Sequence, residues 1–355
     1  MKKLISSALY LLPLLLIYSG CDSGTQSTQV QHNVELRWKA DGSSLFGLMQ
    51  SYSVTSTSTI PAVGYSIVRF DGNGSLAETF KTDPKSRPID PITGSIDSYS
   101  PSLYVSADGS TIVTQLEGDL YRYRPQSGNL EKLATQLHLI TVSGDLHYAV
   151  GTPSPDAQPI KTIQVFDLSY SPIRLVTHFD VNGVETNSGI WLNNGTFGIN
   201  CADSIGAHIS IYDTTSTGIP RTVIAGAEAV FHNAVFDPAT NNLFVRNRNG
   251  SKTGTSFNYT VDRVNLTTTA RANVLNFVVE NFDVTHDNNV IVYSFYDSTS
   301  TIHMRSRNLV TSNDISIADD ILLIIALSPS EDKLAYIRER DANFDEVHVI
   351  PFIKP

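Results

Sequence analysis

Reactive side chains are sparse in this 355-residue chain: two cysteines, Cys21 and Cys201, and nine dispersed histidines. Cys21 follows Ser19 and Gly20, small residues that a signal peptidase pocket accepts. The two cysteines have no zinc or redox spacing. His232 and His286 each lie close to the first strand of a repeating unit, where they could converge on a ligand near a central axis. The alternative is two separate, hydrogen-bonded polar residues. "DGNGSLAE" (71–78) alternates Asp71, Asn73 and Ser75 as a calcium loop does, but it lacks the glycine and distal glutamate at the required offsets. It reads better as a hairpin turn. There is no Gly-x-Ser-x-Gly elbow and no His-Glu-x-x-His. No catalytic, cofactor-binding or metal-ligating residue is assigned.

The start of the chain carries the clearest processing chemistry. Lys2 and Lys3 precede an apolar run from Leu9 to Ile17, broken by Pro13. A bilayer span needs ~20 apolar residues, and this run is about half that, the proportion of a secretory core. Tyr18-Ser19-Gly20-Cys21 resembles the lipobox of bacterial lipoproteins, with Tyr18 where leucine is usual. The resemblance implies removal of residues 1–20, a diacylglyceryl thioether on Cys21, and membrane anchoring in the cell envelope on the periplasmic side or cell surface. An ordinary signal peptide with an unmodified cysteine is the alternative. A buried methylene contributes ~0.8 kcal/mol, so the two or three acyl chains of such lipoproteins give stable anchoring. The polar, Ser/Thr/Gln-rich residues 21–32 read as a flexible tether. Cys201 is then expected to be a lone buried thiol.

Without residues 1–20 the chain has 23 basic and 35 acidic side chains, a balance of −12. Nucleic-acid binding needs basic patches, so that class is excluded, and adhesion to anionic lipid through the protein surface is disfavoured. The greasiest later segment, "ILLIIALS" (321–328), has the length of a buried strand.

The rest of the sequence is rich in Val, Thr and Tyr, which favour strands, and in Asn, Asp and Ser, which favour turns. "LYVSADGSTIVTQLEGDLYRYRPQSGNLEKL" (103–133) contains a strand, an Asp108-Gly109 hairpin turn, a strand, a Gly118-Asp119 turn and a third strand. Related units follow, with first-hairpin turns near residues 42, 109, 144, 194, 241, 288 and 332. After the first, the steps are roughly 35 to 50 residues, matching propeller blades of ~40–45 residues. The spacing predicts an all-β chain forming a single β-propeller, residues 33–355, of seven blades with four antiparallel strands each. The final unit has three strands, and one near Val30 to Leu36 is expected to complete it.

"LSPSEDKLAYIRERDANFDEVHVIPF" (327–352) resembles the TolB-type, WD-like propeller repeat through Ser328, Pro329, Lys333, Leu334, Ala335, Tyr336, Arg340, Asp341 and Asn343. Glu331 and Asp332 read as replacing its usual Asp-Gly pair. The resemblance covers the repeat and not TolB's function, because no preceding α/β domain is encoded. Two function classes remain. One is a non-catalytic platform binding an envelope protein or glycan, with insertions 50–64 and 82–98 as the candidate surface. The other is a lyase, lactonase or quinoprotein type of enzyme with its site at the channel mouth, which requires polar residues repeated at equivalent positions in several units.

Overall fold

The computed structural model describes residues 28–54, 63–81, 102–116, 118–152, 160–184, 189–193, 195–203, 206–215, 221–225, 228–253, 256–341 and 344–355. Cys21, the segment 1–20 and most of both insertions lie outside these residues. Every regular element among the described residues is a β-strand. We number the repeats units 1 to 7, covering residues 28–81, 102–134, 138–184, 189–225, 228–275, 281–319 and 321–351.

Units 2 to 6 are five separate four-stranded antiparallel sheets. The strands of units 7 and 1 share one seven-stranded sheet. The expectation of seven four-stranded blades is thereby corrected: five such blades stand alone, and the last unit keeps three strands of its own. The expected closing strand is Thr28–Trp38. It pairs antiparallel with Ser44–Val54 over ten positions and meets Phe344–Pro351 at a single parallel bridge, Gln31 to Phe344. The reason is loop closure. Its hairpin partner is one tight turn away, whereas the C-terminal strand is the whole chain away. The strand also begins at Thr28, so residues 28–32 are ordered into the sheet and not part of a free tether.

Apolar clusters hold the units together. Each unit buries a cluster against the next, and one more, including Leu36, Leu45 and Val68 with Ala335 and Ile337, joins unit 7 to unit 1. A single sheet cannot cover both of its faces, so burial continues from unit to unit until the circle closes.

Every first hairpin turns through one residue in the left-handed region: Gly42, Gly109, Leu146, Gly195, Asn241, Asn288 and Glu331. In four of these turns a Ser or Thr hydroxyl accepts the N–H five residues on: Thr111 N to Ser106, Tyr148 N to Ser143, Val290 N to Thr285, and Lys333 N to Ser328. This wiring corrects the alignment of the last repeat. Ser330 and Glu331 occupy the Asp-Gly positions, and Glu331 holds the left-handed conformation with φ 56°.

The two ends of the ring differ. One end carries these turns, which touch around the circle: Ala40 N donates to Ala107 O, and Asn288 Nδ2 reaches Thr240 Oγ1. Antiparallel pairing puts Thr28, Val54 and Val63 together at the opposite end. The chain therefore enters the ring at the end where strand pairs of unit 1 are joined by long connections.

Candidate functional site

Among the described residues the histidines do not gather. His286 lies in the turn after Asn281–Val284, largely exposed, with Nδ1 2.8 Å from Glu331 Oε1 of unit 7. Its backbone N–H donates to the same carboxylate, which also accepts from Lys354 Nζ at 2.5 Å. His232 lies on Glu228–Asp237 of unit 5, and its side chain is outside the described residues. His286 thus sits in the turn beyond the inner strand and not on the strand that faces the axis. Other histidines serve as local pins. His303 sits between Asp319 (Nδ1, 2.6 Å) and Asp297 (Nε2, 3.0 Å), which raise its pKa. His348 stacks on Tyr336 at 5.3 Å between centroids. Among the described residues, no three His, Cys, Asp or Glu side chains form a group able to hold a metal ion.

The turn wiring also accounts for the acidic turn residues. Asp108 is held down at about 2 by the Ser110 N–H and the Ser106 and Ser110 hydroxyls. Asp287 is held at about 2, first by the Thr285 hydroxyl. Asp71, in the segment resembling a calcium loop, accepts the N–H groups of Asn73 and Ser75 at 2.9 Å, which is hairpin-turn geometry. Cys201 is a buried thiol outside any disulfide, 3.8 Å from the Tyr212 hydroxyl.

A polar group emerges instead on the innermost strands. Registers place Arg37 opposite Phe46, Tyr104 opposite Val113, Thr141 opposite Val150, Asp283 opposite Val292, and Ala326 opposite Ala335. Each pair sits one step before the strand end nearest the first hairpin turn. Arg37, Tyr104, Thr141 and Asp283 are thus equivalent positions in four units. Arg37 Nη2 pairs with Glu35 Oε1 at 2.5 Å, and its side chain is 48% exposed. Glu35 Oε2 accepts the Leu103 N–H of unit 2 at 2.6 Å, and Asp283 Oδ2 accepts the Leu327 N–H of unit 7 at 2.8 Å. An inner strand pairs with its neighbour on one edge only, and its other edge faces the axis. Both carboxylates therefore tie one inner strand to the next.

Burial raises the pKa of Glu35 and Asp283. Arg37 and the Leu103 N–H oppose the shift at Glu35, and the Leu327 and Val284 N–H groups oppose it at Asp283. Arg37 also acts on Asp283 and on Tyr104, whose hydroxyl burial pushes well above its ordinary range. The group can bind polar ligand atoms through one half-exposed guanidinium beside two enclosed carboxylates. The sequence alone does not show these positions to be equivalent, because the first hairpins of the units differ in length and register. The equivalent positions hold different polar types, and only the hairpin register lines them up.

No protein family matches the chain, and no curated protein matches it. Solved structures do. An oligogalacturonate lyase in complex with manganese aligns with a TM-score of 0.60 at 11% identity, covering 95% of each chain. The β-propeller domain of the Trilobed protease from Pyrococcus furiosus, described as having an open velcro topology, aligns with a TM-score of 0.61 at 11% identity, covering 92% of this chain and 94% of that one. A putative TolB from Agrobacterium tumefaciens aligns at 0.45 with 15% identity, covering 71% and 90%. At such identities the likeness of the first two speaks to architecture alone: the chain folds as an all-β propeller.

Proposed function

We propose that this chain is a lipid-anchored propeller of the bacterial cell envelope, attached through Cys21, that acts as a binding platform for an envelope protein or glycan. The observation that carries this reading is the inequality of the two ends of the ring. At one end, short turns are wired by their own Asp, Ser and Thr side chains. At the other, the strand pairs of unit 1 are joined through residues 55–62, and unit 1 connects to unit 2 through 82–101. Long connections on a rigid frame are where binding residues concentrate. In this reading the shared sheet of units 7 and 1 serves as two wedges of the ring, giving seven stations, and the unbroken circle of apolar clusters supports it.

The test is site-specific photo-cross-linking in the native envelope, with probes at Ser298 on the connection end and Ala107 on the turn end. Adducts are expected from Ser298 and not from Ala107, and replacing residues 55–62 by a short Gly/Ser linker should weaken them. Adducts confined to Ala107, or a stoichiometric transition metal or quinone in the purified protein, would overturn the platform reading. The Arg37–Glu35–Asp283 group favours one second reading, a small-ligand site in the channel, as a propeller enzyme would have. Under that reading Arg37→Ala abolishes ligand binding while the cross-links persist.

A further inference from the structure

We infer that the connection end of the ring faces the membrane surface, and that the partner is an integral component of the same membrane. This rests on the lipid-anchor reading of Cys21. The first strand fixes the direction. Thr28 pairs with Val54 at the connection end, and Trp38 pairs with Leu45 next to the tight turns. The strand is held in place along its length. His32 Nδ1 and the Asn33 N–H reach Asp345 at 3.1 and 3.0 Å, and Trp38 Nε1 donates to Ala326 O at 3.0 Å. Its starting end therefore cannot swing to the other side of the ring without breaking the shared sheet.

Seven chain steps separate Cys21 from Thr28, and a fully extended chain spans at most ~3.6 Å per residue, so the strand's first residue stays within about 25 Å of the lipid attachment. A flexible tether of seven residues has a root-mean-square span of about 15 Å, less than the roughly 20 Å that a seven-residue strand puts between the two ends, so the connection end is the end that meets the bilayer. The balance of −12 opposes flat adsorption onto anionic lipid. The ring is held close to the bilayer without sinking into it. A partner on the connection end must therefore fit a gap of that depth, which suits the exposed portion of a membrane-embedded protein better than a large soluble one. The turn end, with the C-terminal residues beside it through Asn308 Nδ2 and Pro355 O at 3.2 Å, faces away.

The experiment uses the full-length, processed protein in vesicles carrying a headgroup energy-transfer acceptor, with a donor dye on Ser298→Cys or on Ala107→Cys. Both positions are exposed, and Cys201 is buried. The seven-residue strand Val290–Tyr296 puts about 20 Å between the two ends, so transfer from position 298 should be roughly two-fold the greater. Inserting 20 Gly/Ser residues after Thr25 should remove the difference. Equal transfer without the insertion, or greater transfer from position 107, overturns the orientation. Mass analysis of the N-terminal peptide separates the two levels. A missing diacylglyceryl group overturns the anchor reading and this inference with it, whereas a lipidated protein with the wrong transfer order overturns the orientation alone. Cross-links from Ser298 that run only to soluble proteins overturn the partner class.

Discussion

Between units 3 and 4 the contact is aromatic. Phe179 of unit 3 meets Phe197 and Tyr212 of unit 4 edge-on at 6.0 and 5.1 Å, and within unit 4 Phe197 stacks on Tyr212 at 5.4 Å and on Trp191 at 5.9 Å. Between units 7 and 1 the apolar residues include the small Ala326 and Ala335, and directed bonds do more of the alignment: Asp345 to His32 and Asn33, and Trp38 to Ala326. The difference follows from chain connectivity. Units 3 and 4 are consecutive, so a short connection already limits their offset and non-directional packing is enough. Units 7 and 1 lie at opposite ends of the chain. Their register has to be set by groups with geometry, and hydrogen bonds to a carboxylate have it.

Breaking the aromatic side should have the largest effect. Phe197 is fully buried, and Phe197→Ala should cost about 3–5 kcal/mol, read as a drop in the urea midpoint with little change in slope. A cost under about 1 kcal/mol would mean that this interface is not the anchor it looks to be.

At the seam, Asp345→Ala leaves the Asn33 N–H without its acceptor, at a cost of about 1–3 kcal/mol. Asp345→Asn keeps an acceptor and should cost less. Hydrogen exchange at Asn33 should speed up by more than exchange at Ile199 in unit 4. Equal acceleration at both would show that the seam does not open separately.

Proton binding sharpens the contrast. The bond to Asp345 is the main influence raising the His32 pKa above its ordinary value of 6.5. Its contribution is complete below that value and is lost as pH rises through the folded value. Glu35 is also raised, chiefly by burial. The folded state then holds that proton more tightly than the unfolded chain, so its effect on stability falls as pH rises above the ordinary carboxylate range. Both groups should make the seam side firmer in mild acid. Glu35→Gln keeps an acceptor for the Leu103 N–H and removes the charge. Its stability relative to the parent should therefore rise from pH 4 to pH 7, measured by parallel urea titrations. A flat or falling difference would contradict the assigned shift.

The smallest effect is expected at Glu331, where a left-handed conformation costs a non-glycine residue about 1–2 kcal/mol. Glu331→Gly relieves that strain but gives up the contacts with His286 and Lys354. Thermal unfolding should shift by only a few degrees in either direction. A large loss would mean that the Glu331 cluster joins units 6 and 7 more strongly than surface pairs normally do.

The turns were the most legible part of the molecule. Residues 42, 109, 241 and 288 are Gly or Asn, which tolerate positive φ, and all four are the left-handed residues of their hairpins. The three turns placed one or two residues off centre on Leu146, Gly195 and Glu331. At Leu146 and Glu331 no local preference marks the position, and the paired strands impose the conformation. The strand repeat and the all-β class likewise follow from alternation and spacing, which are local properties of the chain. The burial of Cys201 was legible on a different ground, since a thiol outside a disulfide behaves as a small hydrophobe.

What the sequence by itself determined is therefore the repeating unit: strand composition, turn chemistry and the distance between turns. Tertiary structure decided how the first strand divides itself between two units, and that Arg37, Tyr104, Thr141 and Asp283 stand at one level of the ring. The physical reason is that hairpin pairing is settled within about a dozen residues, where loop closure costs little. Lining up the inner strands depends on contacts between segments 44 and 68 residues apart, and closing the ring on contacts 288 to 313 residues apart, which no local pattern encodes.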